Sequence, residues 1–344
     1  MRVLVTGGAG FIGAHFIRSW LAYAPADEVI NLDGLTYAGS LGRLADVDQH
    51  PHYRFVQADL NEVDQVREAL RGCQLIVHFA AETHVDRSIT DAEPFLRTNV
   101  QGTAGLLHAA LAANVSRFVH VSTDEVYGPI VDGAVTEQAL LSPRSPYAAS
   151  KAAADLLVQA YQHTYGLPTI VVRPTNIFGP GQFPEKFIPL TITRASQEQP
   201  IPLYGDGQQQ RSWLFVTDVC RAIQTVIERG TIGGVYNIAG GQDQTNYDTA
   251  TQILAQLRRS PALIEFVADR PGHDRRYAMD DTRLRQLGWA PSVPFEHGLA
   301  ETITWYQAHP AWWRPLTERL REDPYHWLNR SAGSGAGSTS GAIR

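Results

Sequence analysis

Two carboxylates stand side by side at Asp124 and Glu125, directly after the hydroxyl of Thr123 and an apolar run from Phe118 to Val121. Further along, Tyr147 and Lys151 are four residues apart, a spacing that places both side chains on one face of a helix. An ammonium group beside a phenol stabilises phenolate and lowers a pKa that is ordinarily ~10. Such a tyrosine works as a general base near neutral pH, which is what alcohol oxidation needs. The paired acids add what simple alcohol oxidation does not use. Two close carboxylates do not readily ionise together, so one is driven toward its protonated form, and an acid and a base result. Plainer readings exist: acids favoured by a helix dipole at its start, and a solvated helix that happens to carry Tyr and Lys. Adjacent residues on a strand face opposite ways, so the acid–base reading requires Asp124 and Glu125 to lie past the strand end, in a turn or short helix.

The elements that would position these groups are visible upstream. Gly7-Gly8-Ala9-Gly10-Phe11-Ile12-Gly13 follows a short apolar strand and opens a helix. Glycines permit the tight turn and let the backbone approach a pyrophosphate, while the helix N-terminus offers free N–H groups. Asp33 ends the next predicted strand, twenty residues past Gly13. As a ligand it accepts from both ribose hydroxyls and repels a 2′-phosphate, and no arginine follows until Arg43, which favours NAD over NADP. Its plainer reading is a cap or turn residue.

Apolar runs at Val3–Val5, Val29–Leu32, Tyr53–Val56, Leu75–Phe79 and Phe118–Ser122 alternate with helical patterns at Phe11–Tyr23, Asn61–Arg71 and Phe95–Ala113. That alternation predicts a doubly wound (Rossmann) α/β fold with a parallel sheet. A long helix at Tyr147–Tyr165 leads to a strand at Thr169–Arg173. After Pro174 proline and glycine become frequent, and strand character returns only at Ser212–Val216 and Val235–Ile238. The predicted division is an NAD-binding domain over 1–173 with a return near 212–240, and a smaller, mixed substrate region over 174–211 and 241–330. Four of the seven tryptophans lie between Trp305 and Trp327, so that segment is expected to pack. The small polar run 331–344 is expected to be disordered. The chain has 344 residues, 44% hydrophobic and 19% charged, with a net charge of −6, and so offers no general attraction to nucleic acid or to a membrane surface. Cys73 and Cys220 have neither metal-site nor disulfide spacing, and no metal is expected. The first residues read as a strand rather than a signal peptide, and no apolar run reaches the ~20 residues a bilayer requires. A cytoplasmic enzyme is the expectation.

Several motifs together resemble the extended short-chain dehydrogenase/reductases, over roughly residues 1–315. Within that family the resemblance is to the nucleoside-diphosphate-glucose 4,6-dehydratases, particularly those acting on dTDP-glucose. The motifs are Leu35-Thr-Tyr-Ala-Gly39, Ala80-Ala-Glu-Thr-His-Val-Asp-Arg-Ser88, Ser122-Thr-Asp-Glu-Val-Tyr-Gly128, Phe183-Pro-Glu-Lys186 and Arg270-Pro-Gly-His-Asp-Arg-Arg276. The resemblance implies that Tyr147, aided by Lys151 and Thr123, takes the sugar C4 hydroxyl proton as hydride passes to NAD. Glu125 then removes the C5 proton, Asp124 protonates the departing C6 hydroxyl, and hydride returns to C6. The product is a 4-keto-6-deoxy sugar nucleotide with no net use of NAD, which is expected to stay tightly bound. The resemblance also implies cofactor contacts at Gly7, Gly10, Phe11, Ile12, Gly13, Asp33, Leu35, Thr36, Asp59, Leu60, Ala80, Ala81, Thr83, Thr98, Tyr147 and Lys151. For the substrate it implies Arg211 and Arg270 on the diphosphate, and further contacts at His84, Asn176, Glu185, Lys186, Pro202, Tyr204, Asn246 and His273. His273 has no metal partners at useful spacing. A homodimer is expected through the helices Phe95–Ala113 and Tyr147–Tyr165.

The pattern departs from the subgroup in places. Asn176 is followed by Ile177 where a second asparagine is common, Gly34 stands where lysine is frequent, and Arg173-Pro174 is shared with the wider superfamily. The base therefore stays open among thymine, uracil or another, and the sugar with it; thymine and uracil differ by one methyl, worth ~1–3 kcal/mol in an apolar pocket. A 4-epimerase or a UDP-glucuronate decarboxylase shares the NAD site, Tyr147 and Lys151 but does not account for the Asp-Glu pair. An NAD-binding regulatory protein predicts a missing catalytic group, and none is missing.

Overall fold

A computed structural model describes residues 1–240 and 242–320. The 331–344 segment and Trp327 lie outside the described residues. In chain order the elements are β1 (Arg2–Thr6), α1 (Phe11–Tyr23), β2 (Glu28–Asp33), β3 (Tyr53–Gln57), α2 (Val63–Leu70), β4 (Leu75–His78), α3 (Val85–Thr90), α4 (Glu93–Phe95), α5 (Thr103–Ala112), β5 (Arg117–Val121), α6 (Pro146–Tyr165), β6 (Thr169–Pro174) and β7 (Asn176–Phe178). They continue with α7 (Phe187–Ser196), β8 (Ile201–Tyr204), β9 (Gln210–Phe215), α8 (Val216–Arg229), β10 (Val235–Ile238), β11 (Gln242–Thr245), α9 (Asn246–Gln256), β12 (Ile264–Val267), α10 (Thr282–Arg285), α11 (Phe295–Ala308) and α12 (Pro310–Leu320).

Seven strands form one parallel sheet in the order β10-β6-β5-β4-β1-β2-β3. Successive residues go to opposite faces. Val3 and Val5 of β1 join a core with Phe16, Ile17 and Trp20 of α1 and Val219, Ile223 and Val226 of α8. Leu4, between them, joins Val66 of α2, Leu106 and Leu107 of α5 and Val158 of α6 on the other side. Burial on both faces explains why these strands read as unbroken apolar runs. The strand order reverses between β1 and β4, and a crevice opens there at the carboxyl ends of the strands.

A three-stranded sheet, β11-β9-β7, and a two-stranded one, β12-β8, lie in the second half. Around the former, α7, α9, α11 and α12 gather Ile188, Ile253, Phe295, Leu299, Tyr306 and Trp313, with Trp305 and Trp312 packed against them. This region is more regular than its proline-rich sequence suggested, because short strands of three to six residues leave almost no periodic signal. Strand character near 212–216 belongs to β9 and the small sheet, whereas β10 joins the large one. The expected helix over Phe95–Ala113 is helical but not uniform. A π-helical stretch, Leu96–Gly102, separates α4 from α5.

Candidate active site

The glycine turn after β1 is a cradle without room for side chains. Gly7 has φ +69°, and a Cβ there would lie 2.6 Å from the Ala80 nitrogen. At Gly13 a Cβ would lie 2.4 Å from the Gly7 carbonyl oxygen. Gly10 caps α1, no acid occupies the first turn, and the leading N–H groups have no intrahelical partner. Asp33 ends β2. Its Oδ2 accepts from the Ala9 N–H at 2.9 Å and its Oδ1 from the Leu35 N–H at 2.8 Å, so each oxygen keeps a lone pair for a further donor. Burial raises its pKa against the pull of these two bonds. The cleft of about 350 Å³ is lined by Gly7, Gly10, Phe11, Ile12, Gly13, Asp33, Thr36, Asp59, Leu60, Ala80, Ala81, Thr83, Thr98 and Tyr147. A tight cradle, a free helix N-terminus and a carboxylate at the neighbouring strand end fit a dinucleotide.

Two expected cofactor residues stand elsewhere. Leu35 does not line this cleft; its main chain steadies Asp33. Lys151 is buried beneath, and its Nζ donates to the Val121 carbonyl at 2.7 Å. Arg43, which the sequence suggested was too distant to matter, lines the cleft. Its guanidinium is engaged by the carbonyls of Gly181 (2.8 Å), Ala9 (3.0 Å) and Ala38 (2.7 Å). Asn99, on the π-helical stretch, fastens the loop after β4: it accepts from the Glu82 N–H at 2.9 Å and donates to the Glu82 carbonyl at 3.0 Å and to Ser150 Oγ at 2.8 Å.

The chain leaves β5 at Val121 and winds into a 3₁₀ turn, Asp124–Tyr127, so the two acids lie past the strand as the acid–base reading requires. Thr123 caps that turn, its Oγ1 accepting from the Glu125 N–H at 3.3 Å and donating to Asp124 Oδ1 at 3.1 Å. Burial, then the neighbouring Glu125, pushes the Asp124 carboxyl up to about 7. The hydroxyls of Thr123 and Thr175 oppose that rise; Thr175 Oγ1 lies 3.3 Å from Asp124 Oδ2 and 3.0 Å from the Ser212 carbonyl. Glu125 is also raised by burial, but Arg270, Arg211 and Lys186 pull it back. Tyr147 corrects the simple pairing expected with Lys151. Burial raises the phenol, and the negative charge of Glu125 raises it further, while the Thr123 hydroxyl opposes both. Lys151 itself is lowered to about 8 by burial.

A second cleft of about 250 Å³ takes His84, Asn176, Glu185, Lys186, Pro202, Tyr204, Arg211, Asn246, Arg270 and His273 into its wall. Arg211 is buried, with its guanidinium 4.6 Å over the Tyr277 ring, and bonds the carbonyls of Gln210 (2.7 Å) and Asp274 (3.0 Å). Burial and the two arginines lower His273 to about 3, so the ring is neutral. Its Nδ1–H donates to Asp269 at 2.6 Å and its Nε2 accepts from Arg211 at 3.0 Å. Asp86 steadies two opposing groups, accepting from Arg270 at 3.2 Å and from the Tyr204 hydroxyl at 2.7 Å. Arg270 Nε is buried without a hydrogen-bond partner. Sequence reasoning quoted Asp86 within a motif but gave it no role, because its partner is 184 residues away. Tyr277, which lines this cleft beneath Arg211, carries no local sequence signal. Glu125, Asn176, Thr83, Glu185 and Lys186 border both clefts, so Glu125 stands where the two meet and Asp124 beside it lines the first.

Residues 4–302 match the family described as GDP-mannose 4,6 dehydratase. The chain is 51% identical over 306 residues to the low-salt glycan biosynthesis protein Agl12 of Haloferax volcanii, covering 89% of this chain and 98% of that one. It is 49% identical over 321 residues to a dTDP-glucose 4,6-dehydratase of Streptomyces niveus, covering 92% and 96%. In three dimensions it is similar to the dTDP-glucose 4,6-dehydratase DesIV of Streptomyces venezuelae, solved with NAD and TYD bound, with a TM-score of 0.91, 50% identity, and 92% and 100% of the chains covered.

Proposed function

The chain belongs to the GDP-mannose 4,6 dehydratase family, within the extended short-chain dehydrogenase/reductases, and we propose that it is an NAD-dependent hydro-lyase converting dTDP-glucose to dTDP-4-keto-6-deoxyglucose. One observation carries the reading: Asp124, with its carboxyl pushed up to about 7, stands beside Glu125 at the junction of a dinucleotide cleft and an arginine-bearing cleft. NAD, which the Gly7–Gly13 turn and Asp33 would hold, would supply the hydride acceptor for C4 and the hydride donor for C6. Tyr147 takes the C4 hydroxyl proton, with the nearby Thr123 hydroxyl opposing the rise of its pKa. Glu125 removes the C5 proton, which the 4-ketone acidifies. Asp124 gives its proton to the C6 hydroxyl, which leaves as water, and a proton from Tyr147 or solvent completes C5. Arg211 and Arg270 hold the diphosphate, and their charge also keeps Glu125 available as the base. The relatives' substrate supports thymine as the base.

An epimerase needs no acid–base pair beyond the tyrosine, so Asp124, raised to about 7 beside Glu125, argues against that alternative. Incubation with dTDP-glucose and with UDP-glucose, read by product mass, tests the reading. Loss of one water from the dTDP sugar is expected; unchanged mass would overturn it. Among the described residues no helix is long and apolar enough to cross a membrane, and the reading includes action in the cytoplasm. It also includes a homodimer, supported by exposed Leu96 and Leu156 on neighbouring helices. A monomer by light scattering would count against that pairing.

A further inference from the structure

The Leu35–Gly39 motif has no part in the steps above, yet one of its side chains reaches across the molecule. The Tyr37 hydroxyl donates to Glu185 Oε1 at 2.8 Å, across 148 residues of sequence. Its ring is held on two sides, by the Arg87 guanidinium 3.9 Å from the ring centre and by Phe183 edge-on at 5.5 Å. Its chain neighbours Thr36, Ala38 and Gly39 line the dinucleotide cleft, as do Phe183, Glu185 and Lys186. The Tyr37–Glu185 bond therefore ties two walls of that cleft together. Glu185 also borders the second cleft. Its Oε2 is buried without a hydrogen bond, 3.6 Å from Arg87 Nη2 and 3.8 Å from His84 Nε2. A buried acceptor in that state calls for a donor, and a hydroxylated ligand in the second cleft can supply one.

We infer that Tyr37 is a positioning residue that couples the two clefts: it holds Glu185 so that Oε2 meets a sugar hydroxyl, and it keeps the cofactor loop closed. The inference rests on the proposed reading that the clefts hold NAD and a nucleotide sugar. Sugar binding then slows NAD release, and by linkage bound NAD strengthens sugar binding to the same degree.

The test follows NAD loss as the decay of activity after dilution into NAD-free buffer, with excess dTDP-glucose or with dTDP, which lacks the sugar. Wild-type enzyme should lose NAD more slowly under dTDP-glucose. Tyr37→Phe keeps the ring contacts and removes the hydroxyl. It should release NAD about tenfold faster under dTDP-glucose, equivalent to about 1.4 kcal/mol, and lose the difference between the two ligands, while excess NAD restores its rate. Glu185→Ala should release NAD as fast as Tyr37→Phe, with the double variant no faster. Glu185→Gln retains an acceptor for Tyr37 and should restore retention under dTDP. Wild-type release from Tyr37→Phe, an intact sugar effect in it, or additive losses in the double variant would overturn the coupling. If the wild-type enzyme neither holds NAD nor dehydrates dTDP-glucose, the functional reading falls first, and this inference falls with it.

Discussion

The two clefts that meet at Glu125 are made of different material. The dinucleotide cradle is chiefly main chain: a glycine turn with no room for a Cβ, a helix N-terminus, and a carboxylate fixed by two backbone N–H groups. The second cleft is chiefly side chain, gathered from the cap of α3, the turn before α7, β9, the start of α9 and the loop after β12. A backbone cradle constrains a few consecutive residues. A side-chain cleft constrains residues scattered along the chain, and a neighbour such as Asp86 holds each in place. The first should fail by steric exclusion and the second by loss of charge and aim.

The largest effect is expected at Gly13. Gly13→Val places atoms against the Gly7 carbonyl and the Gly8 Cα, 2.4 and 2.8 Å from a Cβ. Cofactor binding should vanish, with stability lowered by about 1–3 kcal/mol; wild-type NAD content in the purified variant would break the steric account. Next comes Glu125→Gln at the shared wall. It should leave the fold and bound NAD intact and slow product formation by ~10²–10⁴-fold, and undiminished turnover would remove Glu125 from the chemistry. Arg270→Lys sharpens the contrast from the other side. It should raise KM for dTDP-glucose roughly tenfold, about the worth of one charge-assisted hydrogen bond, without altering NAD content. Loss of NAD in that variant would show that the clefts do not fail separately.

The smallest effect is on stability and turns on pH. The folded Asp124 carboxyl, at about 7, lies above its ordinary 3.8. The stability owed to its neutral form is therefore complete below 3.8 and is lost as pH rises through about 7. Asp124→Asn stays neutral throughout, so at pH 8 it should melt higher than the wild type, by roughly 2–4 °C per kcal/mol relieved. The gap should close toward pH 4, although dehydration is slowed. A variant that melts lower at pH 8 would contradict the buried-acid account.

These two kinds of construction also explain what the sequence disclosed. The glycine turn, Asp33 and the first five strands follow from local spacing and two-sided burial, and α1 falls on its expected residues Phe11–Tyr23. Placing Asp124 and Glu125 beyond the strand end follows from the period of the pleat once both are to act on one substrate. The spacing from Lys151 does not lower the phenol, because burial and nearby carboxylates raise it and the ammonium group is bonded to the Val121 carbonyl. Arg43, Asp86, Tyr277 and the Tyr37 contact with Glu185 depend on partners brought together by tertiary folding, and no local pattern announces them. Short strands such as β7, β8 and β12 escaped for want of length.

The π-helical stretch Leu96–Gly102 carries Asn99, which grips Glu82, and Thr98, which lines the first cleft. Each residue of an ordinary helix advances by about 100°. Deleting a single residue there would let the coil wind regularly and would, by helix standards, improve it. It would also swing Asn99 and Thr98 about a quarter of a revolution relative to α5, away from everything they touch. The irregular winding sets the rotational phase between two halves of one rod, and a tidier rod would point its working residues at the wrong neighbours.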